Sequence, residues 1–278
     1  MEAGVLCHVG VTGPCHPSHA KIFCGLPEAG PPFHFEMENP VSDVLALLEK
    51  LRDRRVIDLS QTLEEHMPHF PTHSKFFHNL WSSYERGGRS LHYLLVMHEH
   101  NGTHVDAPAH FLKNARPDAH VTIEQVPLTQ LLGRGVRVDC RGTKAGEYVS
   151  KSHLQEWEGR HGPIQAGDIV LFDFGWAEKW GLRPNDQPYL ENWPGVGMDA
   201  AEYLLSKPAA ALGVDTLSPD PPEALRTRPI HPVVLEKQML IIENLCNLGE
   251  LPDFFLFLAF PLKIREGSGS PIRAVALG

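Results

Sequence analysis

The sequence predicts a mixed α/β domain, and three observations carry that expectation. A chain of 278 residues that is 42% hydrophobic and 21% charged has the composition of a globular protein able to bury a full core. From about residue 41 onward, helix-period and strand-like apolar segments alternate irregularly. No internal repeat or linker-like stretch interrupts that span, so residues 41–278 read as one domain.

Residues 1–40 are rich in Gly, Pro, His and Cys without helical or strand period, and are expected to form a poorly ordered N-terminal arm. Cys7, His8, Cys15, His16, His19 and Cys24 lack the C-x-x-C or H-x3-H spacing of a structural zinc site, so no metal is assigned there. Ser42 offers an N-cap, and Val44, Leu47, Leu48 and Leu51 recur at helical spacing, which predicts a helix to about Arg54 with its apolar stripe on the core. Val56 to Leu59 reads as a strand. The loop after it is stiffened by Met67-Pro68 and Phe70-Pro71. Phe70, Phe76, Phe77 and Trp81 are there to contact a planar substrate or to fill the core.

The apolar run Leu91 to Met97 predicts a strand. Thr122 and Gln125 have capping-box spacing ahead of Leu128, Leu131 and Leu132, and Gly133 and Gly135 lead into a strand from Val136 to Cys140. Ser152 and Gln155 repeat the capping pattern before Trp157, and a strand from Ile169 to Phe174 follows. Asp173-Phe174-Gly175 matches a kinase magnesium motif in letters only, since no glycine-rich loop precedes it. A helix over Asp199 to Leu205, a strand over Ala209 to Val214 and a proline-started helix over Pro232 to Lys237 come next. The buried strand Met239 to Glu243 and strands over Phe255 to Ile264 and Ile272 to Ala276 complete the chain.

A net charge of −9 and a pI near 6.0 argue against nucleic acid or an anionic membrane as partner, which leaves a small molecule. Five cysteines, sparse and odd in number, suit a reducing cytoplasmic setting better than a disulfide framework. No apolar run approaches the ~20 residues of a membrane helix, and Glu2 and His8 fit a secretion signal poorly.

The chemistry concentrates in His100-Asn101-Gly102-Thr103-His104-Val105-Asp106-Ala107-Pro108-Ala109-His110. His100, His104, Asp106 and His110 stand at offsets 0, 4, 6 and 10, all even, so an extended backbone turns all four to one face. Gly102 and Pro108 disfavour an unbroken helix. Two imidazoles and a carboxylate suit zinc or manganese, and His110 is left for acid/base work. The rival reading, ordinary surface or core histidines, has to be weighed because the chain holds 17. Glu243 ends a buried apolar strand, where a lone carboxylate costs several kcal/mol unless it meets a cation or an arginine such as Arg273.

This segment resembles the signature of the metal-dependent cyclase/kynurenine formamidase-like hydrolases, H-x-G-T-H-x-D-x-P-x-H. Further pieces match at Ile57 to Pro71, Gly213 to Asp220, Ile241 to Leu248 and Phe260 to Ala274, so the likeness spans about residues 55–278. The resemblance implies a single-domain swivelling β/β/α-type fold. It also implies one or two divalent ions shared by His100, His104, Asp106, His231 and Glu243, with Asp106 bridging and His110 as the catalytic base. Asp215, Ser218 and Asp220 match the family's D-x-x-S-x-D, as support for the ligands or as turn residues. The implied activity is hydrolysis of a C–N bond in a small, aromatic amide or lactam, arylformamidase- or isatin hydrolase-like, in a homodimer or homotetramer. Asp173-Phe174-Gly175 replaces an Arg-Thr-Gly-like turn of many relatives and turns the expectation away from N-formylkynurenine itself. A lactone or ester hydrolase, or a non-catalytic metal-binding scaffold on the same fold, are the alternatives.

Overall fold

A computed structural model describes residues 40–111, 120–227 and 229–278. The expected arm and its cysteines and histidines before residue 40 lie outside the described residues. In chain order the strands are β1 (Val56–Asp58), β2 (Phe77–Ser82), β3 (His92–Val96), β4 (His104–Asp106), β5 (Leu132–Asp139), β6 (Tyr148–Val149), β7 (Ile169–Asp173), β8 (Gly195–Val196), β9 (Ala211–Val214), β10 (Leu240–Glu243), β11 (Phe254–Leu258), β12 (Gly269–Pro271) and β13 (Val275–Leu277). The α-helices are α1 (Pro40–Arg52), α2 (Lys151–His161), α3 (Gln187–Leu190), α4 (Met198–Ser206), α5 (Pro222–Thr227) and α6 (His231–Glu236). The chain divides inside α1, between Glu49 and Lys50, and the second unit carries the sheets and all of the site.

Nine strands form one mixed sheet in the order β1-β13-β11-β5-β7-β9-β10-β4-β12. The central run β5-β7-β9-β10 is parallel and the flanking strands pair antiparallel. Apolar residues at consecutive positions of β7 explain its place at the centre. Val170 and Phe172 enter one core with α2, α4 and α6, while Ile169 and Leu171 enter a second core between the curled strands. The sheet curls because Ser60, past β1, bridges to Leu245, past β10, and Cys246 N–H donates to the Leu59 carbonyl. Gly135 sits in β5 where a Cβ would meet the Phe255 ring at 2.1 Å, so the glycine admits a phenylalanine from β11.

The mixed α/β reading agrees with this architecture, and several local expectations do not. Helix α1 begins at Pro40, so Ser42 stands in its first turn instead of at its cap, and Val44, Leu47 and Leu48 are exposed instead of core. The Thr122 N–H does donate to Gln125 Oε1, at 3.2 Å, but the segment closes into 3-10 turns over Ile123–Gln125 and Leu128–Leu131. Pro127 lies between those turns and cannot continue a helical ladder. Ser150, not Ser152, caps α2 by accepting from the His153 N–H. Strands β2 and β12 are not predicted, since β2 mixes apolar and polar residues without a two-residue period and β12 is a short Gly-Ser-Pro segment, and β3 is exposed along its whole length.

Candidate metal centre

Strand β4 lies between β10 and β12, and its register assembles the site. His104 pairs with Glu243 and Asp106 with Ile241 on one side, and His104 with Pro271 and Asp106 with Gly269 on the other. Directly opposed residues of an antiparallel pair share a face, so His104, Asp106 and Glu243 converge. Gly102 takes a left-handed conformation at φ 61°, which turns the chain from His100 into β4. A Cβ at Gly269 would meet the His100 ring at 2.5 Å, so that glycine makes room for the imidazole. His231 enters from the first residue of α6.

The result is a buried cage. His104 Nε2 lies 3.4 Å from Asp106 Oδ1 and 3.2 Å from Glu243 Oε2, while His231 Nε2 lies 3.5 Å from Asp106 Oδ2 and 3.2 Å from Glu243 Oε1. Asp106 also faces His100, whose Nδ1 is 2.6 Å from Oδ1. The His110 ring stacks on His100 with centroids 4.0 Å apart. Ligand atoms of His104, Asp106 and Glu243 lie within 4.8 Å of one another, as do those of His100, Asp106 and His110, so Asp106 is common to two groups. All six residues named from the sequence are therefore brought together. Arg273 instead pairs with the exposed Asp58 at 2.6 Å, which removes the arginine alternative for Glu243.

Surrounding groups fix the imidazoles. His104 Nδ1 donates to the Gly102 carbonyl at 2.9 Å, which leaves Nε2 facing the two carboxylates, to donate to them when protonated or to turn its lone pair to an ion when not. His100 Nε2 meets Ser268 Oγ at 2.9 Å, and that hydroxyl donates to Glu99 at 2.8 Å. Asp220 is fully buried and accepts from the Ile230 N–H at 2.7 Å, the His231 N–H at 3.3 Å and His231 Nδ1. One carboxylate thus caps α6 and orients His231. Asp215, from the same D-x-x-S-x-D, goes elsewhere and accepts the N–H groups of Phe174, Trp176 and Ala177. The sequence pattern could not separate the two aspartates, because both are buried loop residues following β9.

The electrostatics fit a divalent ion. Asp106 Oδ2 and Glu243 Oε1 are buried with no hydrogen-bond partner among the described residues. Burial opposes charge on His104, but its hydrogen bonds to Asp106 and Glu243 outweigh that and push it up to about 10. His231 is raised by the same contest, with Asp106, Asp220 and Glu243 against burial. Two buried carboxylates therefore demand positive charge. Protons on His104 and His231 meet that demand, and a divalent ion would meet it with both imidazoles neutral. The 3.2–3.5 Å separations match the ~3.3 Å edges of a tetrahedral shell with ~2.0–2.1 Å bonds. Cys140 and Cys246 are free and do not join the cage.

His110 differs from the cage. It ends a 3-10 turn over Pro108–His110, is only partly buried, and is followed by the exposed Phe111. Burial pushes its imidazole down to about 4, with His100 and His231 adding to that and Asp106 and Glu243 opposing it. His110 is neutral near pH 7 and able to accept a proton. Phe111 was not singled out in the sequence, yet its ring lies 4.7 Å from those of His110 and His231. Of the four aromatic candidates, Phe70 lies 5.3 Å from His73, which in turn is 5.6 Å from His100. Phe76 is buried, and Phe77 and Trp81 stand on an exposed hairpin.

Known proteins resemble this chain in sequence and in fold. The family model described as "Putative cyclase" matches residues 57–221. An isatin hydrolase of Roseibium aggregatum is 31% identical over 193 residues, covering 66% of this chain and 73% of that protein. A kynurenine formamidase of Erythrobacter litoralis is 30% identical over 224 residues, covering 80% of this chain and 93% of that protein. A crystal structure of an isatin hydrolase bound to the product analogue thioisatinate superposes with a TM-score of 0.80 at 27% identity, covering 86% of this chain and 99% of that one. The chain belongs to the cyclase family and is a hydrolase related to the isatin hydrolases and kynurenine formamidases.

Proposed function

We propose that this enzyme hydrolyses the C–N bond of a small aromatic amide or lactam with one or two divalent ions, zinc or manganese, held by His100, His104, Asp106, His231 and Glu243. One observation carries the reading: a neutral, partly exposed His110 stands directly against a buried cage whose carboxylates have unsatisfied oxygens. An ion in that cage supplies a Lewis acid and lowers the pKa of water toward neutrality. The residues of the chain do the rest. His110 accepts a proton from the attacking water as the new C–O bond forms, then returns it to the nitrogen as the C–N bond breaks, so no net proton is consumed. The His100–Ser268–Glu99 and His231–Asp220 contacts hold the imidazole rings in place through each cycle. Phe111 offers an apolar face beside His110, which favours a planar substrate such as isatin or an aryl formamide.

The substrate is a free small molecule, and the acting form is a homodimer or homotetramer in the cytoplasm. The free thiols of Cys140 and Cys246 suit that compartment, and no described helix is long and apolar enough to cross a membrane. The experiment is elemental analysis of the purified protein with turnover of isatin and N-formylkynurenine, comparing the parent with His110→Ala. Turnover falls by at least ~100-fold with metal content retained; unchanged turnover removes His110 from the mechanism.

A further inference from the structure

The antiparallel pairing of β4 with β10 ends at the His104–Glu243 pair, inside the cage. Past that pair, two side-chain bonds of opposite direction take the place of the ladder. Thr103 Oγ1 donates to the Asn244 carbonyl at 2.6 Å, and Asn244 Nδ2 donates to the Gly102 carbonyl at 3.0 Å. Asn244 is buried and takes a left-handed φ of 58°, which asparagine tolerates better than most residues. Its other polar atoms are engaged as well. The N–H donates to the Thr216 carbonyl at 3.1 Å, and Oδ1 accepts from the Tyr189 hydroxyl at 2.8 Å. Tyr189, in α3, is fully buried, and its hydroxyl fixes which end of the amide faces Gly102.

The Gly102 carbonyl is the acceptor for His104 Nδ1, so its position decides where Nε2 points. Glycine is the residue least able to hold a carbonyl in place by itself. Asn244 Nδ2 and His104 Nδ1 lie 3.5 Å apart because both donate to that one oxygen, which has a lone pair for each. A bond that served packing alone could end on any carbonyl, whereas this one ends on the carbonyl that orients His104. We propose that Asn244 is a positioning residue for His104, with Tyr189 setting the direction of its amide. The inference rests on the reading of His104 as a metal ligand and places Asn244 in contact with neither ion nor substrate. Held by Asn244, the Gly102 carbonyl keeps the proton of His104 on Nδ1, and the Nε2 lone pair stays directed between Asp106 and Glu243 when an ion is bound.

The test is the zinc affinity of the full chain, by competition with a chromophoric chelator, together with the His104 Nδ1 proton observed by NMR in the zinc-loaded protein. Asn244→Gly suits the left-handed φ and leaves the Tyr189 hydroxyl its second acceptor, the Asp215 carbonyl at 3.2 Å. It weakens zinc binding roughly 10-fold, the lower end for a lost group that orients a ligand, and the His104 proton exchanges with water faster. Tyr189→Phe removes only the hydroxyl and moves both readings the same way by less. The His231 Nδ1 proton, held by Asp220, stays as in the parent, which a general loosening of the fold would not allow. Circular dichroism reports folding, and if Asn244→Gly does not fold, Tyr189→Phe decides by the same two readings. Folded variants that bind zinc as tightly as the parent, with the His104 proton equally protected, overturn this proposal alone. So does faster exchange shared equally by His104 and His231. A parent that binds no zinc overturns the metal reading together with it.

Discussion

Asp220→Asn isolates the contact that most directly links the fold to the cage. The parent carboxylate accepts three hydrogens, from the Ile230 and His231 N–H groups and from His231 Nδ1, with no solvent access. Asparagine keeps the shape and one acceptor for the backbone, so α6 still forms. Its amide presents hydrogens where the carboxylate presented an oxygen to His231 Nδ1. The imidazole must then move its proton to Nε2, the nitrogen that faces Asp106 and Glu243, and can no longer offer a lone pair there. Loss of a group that orients a ligand in this way weakens metal binding by roughly 10–100-fold. Asp220→Ala adds unpaired buried N–H groups and costs a further ~1–3 kcal/mol of stability. Metal affinity is read by competition with a chromophoric chelator, and the tautomer by the ring nitrogen shifts of His231. An Asp220→Asn protein that binds zinc and manganese as tightly as the parent refutes the assignment of Asp220 as the group that orients His231.

Three other outcomes follow from particular contacts. Gly269→Ala forces a methyl into the His100 ring and costs ~1–3 kcal/mol together with lost turnover, measured by thermal unfolding and kinetics. Arg273→Ala leaves turnover and thermal midpoint essentially unchanged, because its ion pair with Asp58 lies open to solvent; a marked loss of stability would restore the Arg273–Glu243 alternative. Burial, with repulsion from Asp173, pushes Asp215 up to about 7 against the pull of its three N–H donors. Its ionisation therefore disfavours the folded state, so its contribution to stability is present below about pH 4 and lost as pH rises to about 7. Urea unfolding of Asp215→Asn should show a flatter pH dependence than the parent across that window, and identical slopes would contradict the balance described.

The one-dimensional pattern by itself determined the mixed α/β class, the polar working face of residues 100–110, and the burial of Glu243. Each is a property of local period or of the cost of an unpaired carboxylate, so it survives without knowledge of the partners. The motif marked Gly102 only as a residue that disfavours a helix, and the structure adds that it takes a left-handed φ of 61°. Tertiary structure alone decided that Asp220, and not Asp215, orients His231, that Phe111 faces the histidines, and that Arg273 serves Asp58. Equivalent residues in similar stretches part company there, because hydrogen-bond direction depends on strand register and helix placement, with partners that lie from 11 to 215 residues away along the chain. The exposed hairpin makes the same point from the other side. The run Leu91 to Met97 predicted a strand, and only the structure shows that strand exposed along its whole length, since a sequence period says that a segment is extended and not what lies against it.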